Sequence, residues 1–196
     1  MKVKILHSML FLSLLLFHTV KAQDEDTLYT IDVYAGAGYG YYVTDMDIDG
    51  LSKGGVNLSL RVMWQPEHLL SIGLHTGYLQ FYTFELKDAE TSRGITDISA
   101  DLTAVPIGLL FSMKIMEGLN ITAGTSLYIL TSHADSHGNK VSGTDFSTGS
   151  LISLTYIKPL SRNLSLGGEM KYNFVNKIQD GSLSLSAVLK YTLLEY

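Results

Sequence analysis

Along this chain apolar side chains recur at every second residue, segment after segment, and that habit leaves few folds open. Period two sends alternate side chains to opposite faces of a strand. An amphipathic helix would repeat its apolar residues at three and four instead. Val56, Leu58, Leu60, Val62 and Trp64 form one face against Gly55, Asn57, Ser59, Arg61 and Met63. Leu119, Ile121, Ala123, Thr125, Leu127 and Ile129 oppose Asn120, Thr122, Gly124, Ser126 and Tyr128. Leu164, Leu166, Gly168, Met170, Tyr172 and Phe174 oppose Ser165, Gly167, Glu169, Lys171 and Asn173. Leu183, Leu185, Ala187, Leu189, Tyr191 and Leu193 oppose Ser182, Ser184, Ser186, Val188, Lys190 and Thr192. Four noisier segments, beginning at Ile31, Leu70, Val105 and Leu151, bring the total to eight. Eight is an allowed even number for an all-β, eight-stranded antiparallel up-and-down barrel.

The connections alternate as well. Gln65 to His68, Ile115 to Gly118 and Lys158 to Arg162 are short. Thr44 to Gly54, Glu85 to Asp97, Ser132 to Asp145 and Val175 to Asp180 are mostly longer and polar. Transmembrane barrels have short turns on the periplasmic side and longer loops outside. Three turns and four outer loops leave both termini on the periplasmic side.

The N-terminus sets the compartment. Lys2 and Lys4 precede the apolar run Ile5 to Phe17, and Val20-Lys21-Ala22 fits a small-x-small cleavage site. Residues 1–22 therefore read as a cleavable signal peptide, and 23–196 as the barrel domain. The chain has no Cys, which removes both a lipoprotein anchor and disulfide staples. Without the leader, eleven basic residues face nineteen acidic ones, a formal charge of −8. That balance excludes nucleic acid as a partner.

Eight alternating strands also fit a soluble, lipocalin-like barrel with the faces inverted. Such a barrel would turn a Lys- and Glu-rich face to water, yet only 17% of this chain is charged. Here the polar face is Gly, Ser, Asn and Thr, small enough for the narrow lumen of eight strands. The bulky Leu and Ile face then meets lipid. Aromatic residues gather at segment ends: Trp64 and Tyr156 by short turns, and Tyr39, Tyr41, Tyr78, Tyr82, Tyr172 and Phe174 towards long loops. Two aromatic girdles mark the interfaces of membrane barrels. The reading is an integral protein of a Gram-negative outer membrane, in contact with lipid and lipopolysaccharide.

The run Ala104-Val105-Pro106-Ile107-Gly108-Leu109-Leu110 resembles the mid-barrel strand of the small "porin-like" outer-membrane β-barrel proteins of Bacteroidota. The likeness spans Gln23 to Tyr196 and implies a barrel of OmpA or OmpX size. Pro106 lacks a backbone donor and predicts a bulge or local break. Such barrels end on a lipid-facing aromatic. Tyr196 is out of phase with Leu189, Tyr191 and Leu193, so the last strand either bulges or ends near Leu193.

Several polar groups share the inferred lumen face: Asp32, Arg61, His75, Glu169, Lys171 and Lys190. Buried charges need partners, so these are expected to form an internal polar network. A narrow ion path or gate is the alternative. His133-x-Asp135-x-His137 could approach a metal, and Asp45 to Gly50 superficially resembles a calcium loop without its distal Glu. Both read more simply as solvated loops, so no metal or cofactor is expected. A triad from Ser71, His75 and Glu169 fails because Ser71 and His75 lie four residues apart on one strand, roughly 13 Å. The expectation is a non-enzymatic barrel with a filled lumen. Its four surface loops would meet surface or envelope proteins. The alternatives are a porin-like channel and a lipid-modifying enzyme.

Overall fold

The computed structural model describes residues 29–195, apart from 47, 67–68, 92–93 and 137–138. The expected leader, Tyr196, Asp47 and His137 lie outside the described residues. The strands are β1 (Thr30–Val43), β2 (Leu51–Ser52), β3 (Gly54–Gln65), β4 (Leu70–Thr91), β5 (Gly94–Met116), β6 (Leu119–Ser136), β7 (Asn139–Pro159), β8 (Leu164–Val175) and β9 (Asp180–Glu195). Every pairing is antiparallel, and β1 pairs with β3 on one side and β9 on the other, so eight strands close into a ring. The two-residue β2 lies outside that ring, paired to Thr83 and Phe84 of β4.

The ring is staggered. Cross-strand partners lead from Asp32 through Met63, Gly73, Leu110, Gly124, Leu151, Asn173 and Ser182 back to β1 at Tyr42. The path returns ten residues further along β1. A closed barrel with that stagger has strands tilted by roughly 35–45°. No free ladder edge remains within the wall, which removes the edge hazard of an open sheet.

Alternation decides which face each residue takes. Asp32, Asn57, Arg61, His75, Ser126, Thr155, Glu169, Lys171 and Ser184 point inward and are buried. Leu58, Leu60, Leu74, Leu109, Ile152, Leu185 and Leu189 point outward and are exposed. The polar side is inside and the apolar side is outside, the reverse of a water-soluble barrel.

Two registers slip where the sequence is awkward. On β9 the extra residue Leu193 bulges opposite Ile31 and Asp32, so the strand runs on to Glu195 and Leu194 pairs with Ile31. At Pro106 the strand keeps step with β6, but the β4 ladder passes from Thr76–Ile107 to Leu79–Ala104 and omits the pairs between. The result is a local break without a bulge, as a missing donor dictates. The hairpin turn Glu117-Gly118 closes tightly because Gly118 takes φ +75°, a region open to glycine.

The outer connections depart from expectation. The described residues of Glu85 to Asp97 and of Ser132 to Asp145 are not polar loops but the far ends of strands. β4, β5, β6 and β7 have 22, 23, 18 and 21 residues, against 12 each in β3 and β8. A tilted strand crosses a bilayer in about 9–11 residues. The surplus forms a four-stranded sheet, β4-β5-β6-β7, that stands beyond the barrel mouth.

Candidate functional site

The lumen is built in layers. At the turn end, Asp32 of β1 receives Lys190 Nζ at 2.9 Å and the Thr192 hydroxyl at 2.7 Å. Deeper in, Arg61 of β3 reaches across to Glu169 of β8, Nη1 to Oε1 at 2.5 Å. Its Nη2 donates to Thr155 Oγ1 at 3.3 Å, and Thr155 donates to Glu169 Oε1 at 3.2 Å. Lys171 Nζ stands 3.8 Å from the other Glu169 oxygen. The two groups are joined through Tyr34, whose ring centre lies 4.4 Å from the Arg61 guanidinium carbon and 5.8 Å from Lys190 Nζ. Cations over an aromatic face gain from its quadrupole. One carboxylate thus serves two buried cations, with Glu169 only 3% exposed.

His75 sits apart from this group. Its Nε2 lies 2.6 Å from Ser126 Oγ of β6. The serine that meets His75 is therefore Ser126, not Ser71. The pair has the spacing of a base and a nucleophile. Both residues are nevertheless buried in the lumen wall, and among the described residues no carboxylate is hydrogen-bonded to the ring. The contact fills polar valences. Ser126→Ala should leave a buried imidazole nitrogen without its partner and cost about 1–3 kcal/mol, read by urea unfolding in vesicles. Gain of stability in that variant would contradict the assignment.

Above the polar layers the lumen turns apolar. Tyr42, Leu79, Phe81, Leu102, Ala104, Tyr128, Leu130 and Val175 pack into one cluster, with Phe81 and Tyr128 at 0% exposure. Tyr42 meets Phe81 edge to face at 5.6 Å and donates its hydroxyl to Asp180 at 2.7 Å. Ile178 of the β8–β9 turn packs against the cluster. That turn is held at the rim by Lys177, which bonds Asp145 through its side chain and Ser147 Oγ through its backbone N–H at 3.0 Å. The hydrogen bond from Lys177, helped by the N–H of Phe146, keeps the exposed Asp145 below the usual carboxylate range. The tether is therefore ionised at neutral pH and weakens only as acid reaches that lowered value.

This plug was missed by sequence reasoning because all of its residues but Tyr128 lie just outside the assigned segments. Tyr42, Leu79, Phe81, Leu130 and Val175 follow the ends at Tyr41, Tyr78, Ile129 and Phe174, and Leu102 and Ala104 precede Val105. Carrying the alternation three residues past Tyr78 would have placed Leu79 and Phe81 inside. Tyr82, grouped with the outward aromatics, instead packs on Tyr42 at 5.7 Å, because the ladder slips one residue at Phe81.

Of the other aromatics assigned to the girdles, Tyr39, Tyr41, Trp64, Tyr78, Tyr156 and Tyr172 are exposed on the outer face, and Phe174 shares their side of the wall. Trp64 and Tyr156 stand beside the short turns. Tyr41 and Tyr172 flank the same residue, Leu183, across β1, β9 and β8. Phe174 pairs with Gly181, Tyr78 with Leu58, and Tyr39 with Val56. The Tyr39 hydroxyl lies over Gly54 and that of Tyr172 over Gly181, filling space that a Cβ would occupy.

A closed wall, an apolar exterior and a polar interior define the class: a small transmembrane β-barrel of the outer-membrane type. Solved structures agree. Neisserial surface protein A is similar at 17% identity over 83% of this chain and 97% of that one, with a TM-score of 0.52. Ail, the attachment invasion locus protein of Yersinia pestis, in complex with the heparin analogue sucrose octasulfate, is similar at 11% identity over 84% of this chain and 100% of that one, with a TM-score of 0.53. Identities this low establish the fold alone. The chain matches no protein-family model, and no curated protein matches it.

Proposed function

We propose that the chain is a non-enzymatic integral protein of the Gram-negative outer membrane that presents a protruding sheet for surface contacts. In this reading residues 1–22 are the exported leader, and the Leu- and Ile-rich wall meets lipid and lipopolysaccharide. The outward aromatics form its two girdles, and the porin-like barrels of Bacteroidota are its relatives. The lumen's role is structural: its charged layers pair with one another, and the plug of Tyr42, Phe81 and Tyr128 opposes a through-going water path.

The observation that carries the surface role is an asymmetry between the two edges of the protruding sheet. On the β4 side β2 pairs with Thr83 and Phe84, and Glu85 N–H bonds Gly50. Further out the ladder is bulged past Leu86, with Asp88 at φ +53°. Those are the devices that protect an edge from unwanted pairing. On the other side β8 accompanies β7 only as far as Gly149, while the β6 register runs unbroken to Asn139. The β8–β9 turn covers β7 from Asp145 to Thr148, through Asn176 on Thr148 and Lys177 on Asp145 and Ser147, and residues 139–144 are left with an open edge. An unprotected edge binds an extended segment by adding it as a further strand.

The partner should be cationic. The outer segments 44–54, 80–104, 130–148 and 175–181 hold eleven acidic residues against five basic ones. That rim disfavours a sulfated ligand such as the one bound to Ail.

Thr148 C=O accepts from Asn176 on the β8 side, so by alternation Thr144 also turns its N–H to the open edge. Thr144→Pro removes that donor and leaves the β6 ladder intact. Panning a library of random peptides on the barrel in nanodiscs should enrich extended segments alternating basic and apolar residues. Enrichment should fall at least about tenfold on Thr144→Pro. Equal enrichment on both proteins, or none on the unaltered barrel, would reject the edge as the contact site.

A further inference from the structure

We propose that the turn-side end of the lumen, the end opposite the protruding sheet, is a binding pocket for a small oxyanion, a carboxylate or a phosphate. This goes beyond the surface role and does not depend on it. A recess of about 190 Å³ opens there. Three cations line it: Arg61 at its inner end, Lys190 on β9 and Lys114 on β5. No Asp or Glu is among the described residues of its wall. Ser71, Asn120 and Ser165 add hydroxyl and amide groups from three different strands, while the Ser112 hydroxyl beside them donates to the Ile121 carbonyl.

The charge count is the physical reason. Within the lumen Asp32 answers Lys190 and Glu169 answers Arg61. Glu169 is shared with Lys171, and Lys114 pairs with no acid among the described residues. The inner network and the recess together hold four cations and two carboxylates. Positive charge left over in a recess with low-dielectric walls attracts an anion far more strongly than the same charge in open water. Converging hydroxyl and amide donors suit an acceptor with several oxygens, since charge-assisted hydrogen bonds are the strong ones. A water takes about 30 Å³ in the liquid, so the recess has room for one oxyanion and a few waters.

Two sources could supply this chemistry. One is a free anion on the periplasmic side. The other is the chain itself, because Asp24, Glu25 and Asp26 stand shortly before Thr30, where β1 begins at the same end of the barrel.

The test titrates inorganic phosphate, at constant ionic strength, into the isotope-labelled barrel of residues 23–196 in micelles. The amide resonances of Ser71, Ser112 and Asn120 report occupancy. Lys114→Gln is the variant, since Lys114 is exposed and makes no contact the barrel needs. A second protein carries Asp24→Asn, Glu25→Gln and Asp26→Asn. Saturable shifts in the unaltered barrel, weakened about five- to tenfold by Lys114→Gln, establish the pocket with a free anion as ligand. Saturable shifts only after the three N-terminal acids are neutralised establish it with the chain's own carboxylates as occupant. Absence of saturation in both proteins overturns the proposal. So does binding that Lys114→Gln leaves unchanged.

Discussion

Replacing Glu169 with Gln lowers the unfolding free energy of the folded barrel by about 3–5 kcal/mol, the usual loss when one partner of a buried ion pair is removed. The carboxylate sits between Arg61 at 2.5 Å and Lys171 at 3.8 Å, so one substitution strands two cations. Arg61 cannot lose its proton to escape. Gln keeps the shape and one acceptor oxygen, so packing is a minor part of the loss. Removing all three charges together, as Met at 61, 169 and 171, should recover most of it, because a well-packed apolar replacement spares the desolvation cost. Urea titration in lipid vesicles reads both numbers. A loss under about 1 kcal/mol for Glu169→Gln would mean the layer is solvated like a surface pair, and the filled lumen would be the wrong description.

The second large effect lies on the outer face. Leu74 is 61% exposed, pairs with Val62 and Leu109, and sits midway between the two sets of outward aromatics. In water an exposed Leu tolerates Arg. At the bilayer midplane Leu74→Arg costs about 2–4 kcal/mol. Val141 is 67% exposed, but on the protruding sheet beyond the wall. Val141→Arg should stay within about 0.5 kcal/mol. The contrast between two equally exposed apolar residues is the signature of a lipid face with a definite height, and equal costs at both sites would remove it.

Face and strand count were legible in the sequence because period two is a geometric fact about strands, independent of solvent. Val56 to Trp64 and Leu164 to Phe174 needed only alternation to be divided correctly. Strand ends were not legible. For the described residues from Thr83 to Asp101 and from His133 to Ser142 both sheet faces lie beyond the wall, so lipid no longer forces one of them to be apolar. Polar composition there looked like loop. The plug was hidden for a related reason: Leu79, Phe81, Leu102 and Leu130 are apolar residues on the lumen side, which inverts the rule that holds lower down. The partners inside the lumen could not be paired from sequence. Arg61 and Glu169 are 108 residues apart and meet only because the stagger of the ring sets their heights. The Ser126 contact to His75 was equally unreadable, since serine is common on that face.

The most direct measurement is gel mobility without boiling. Residues 23–196 are folded from urea into vesicles, then run in cold detergent beside a boiled sample. A closed barrel with lipid on its apolar face resists the detergent and migrates apart from the boiled, unfolded chain. Identical mobility, together with a soluble folded protein in the absence of lipid, would mean that the Leu-rich face is not a membrane face.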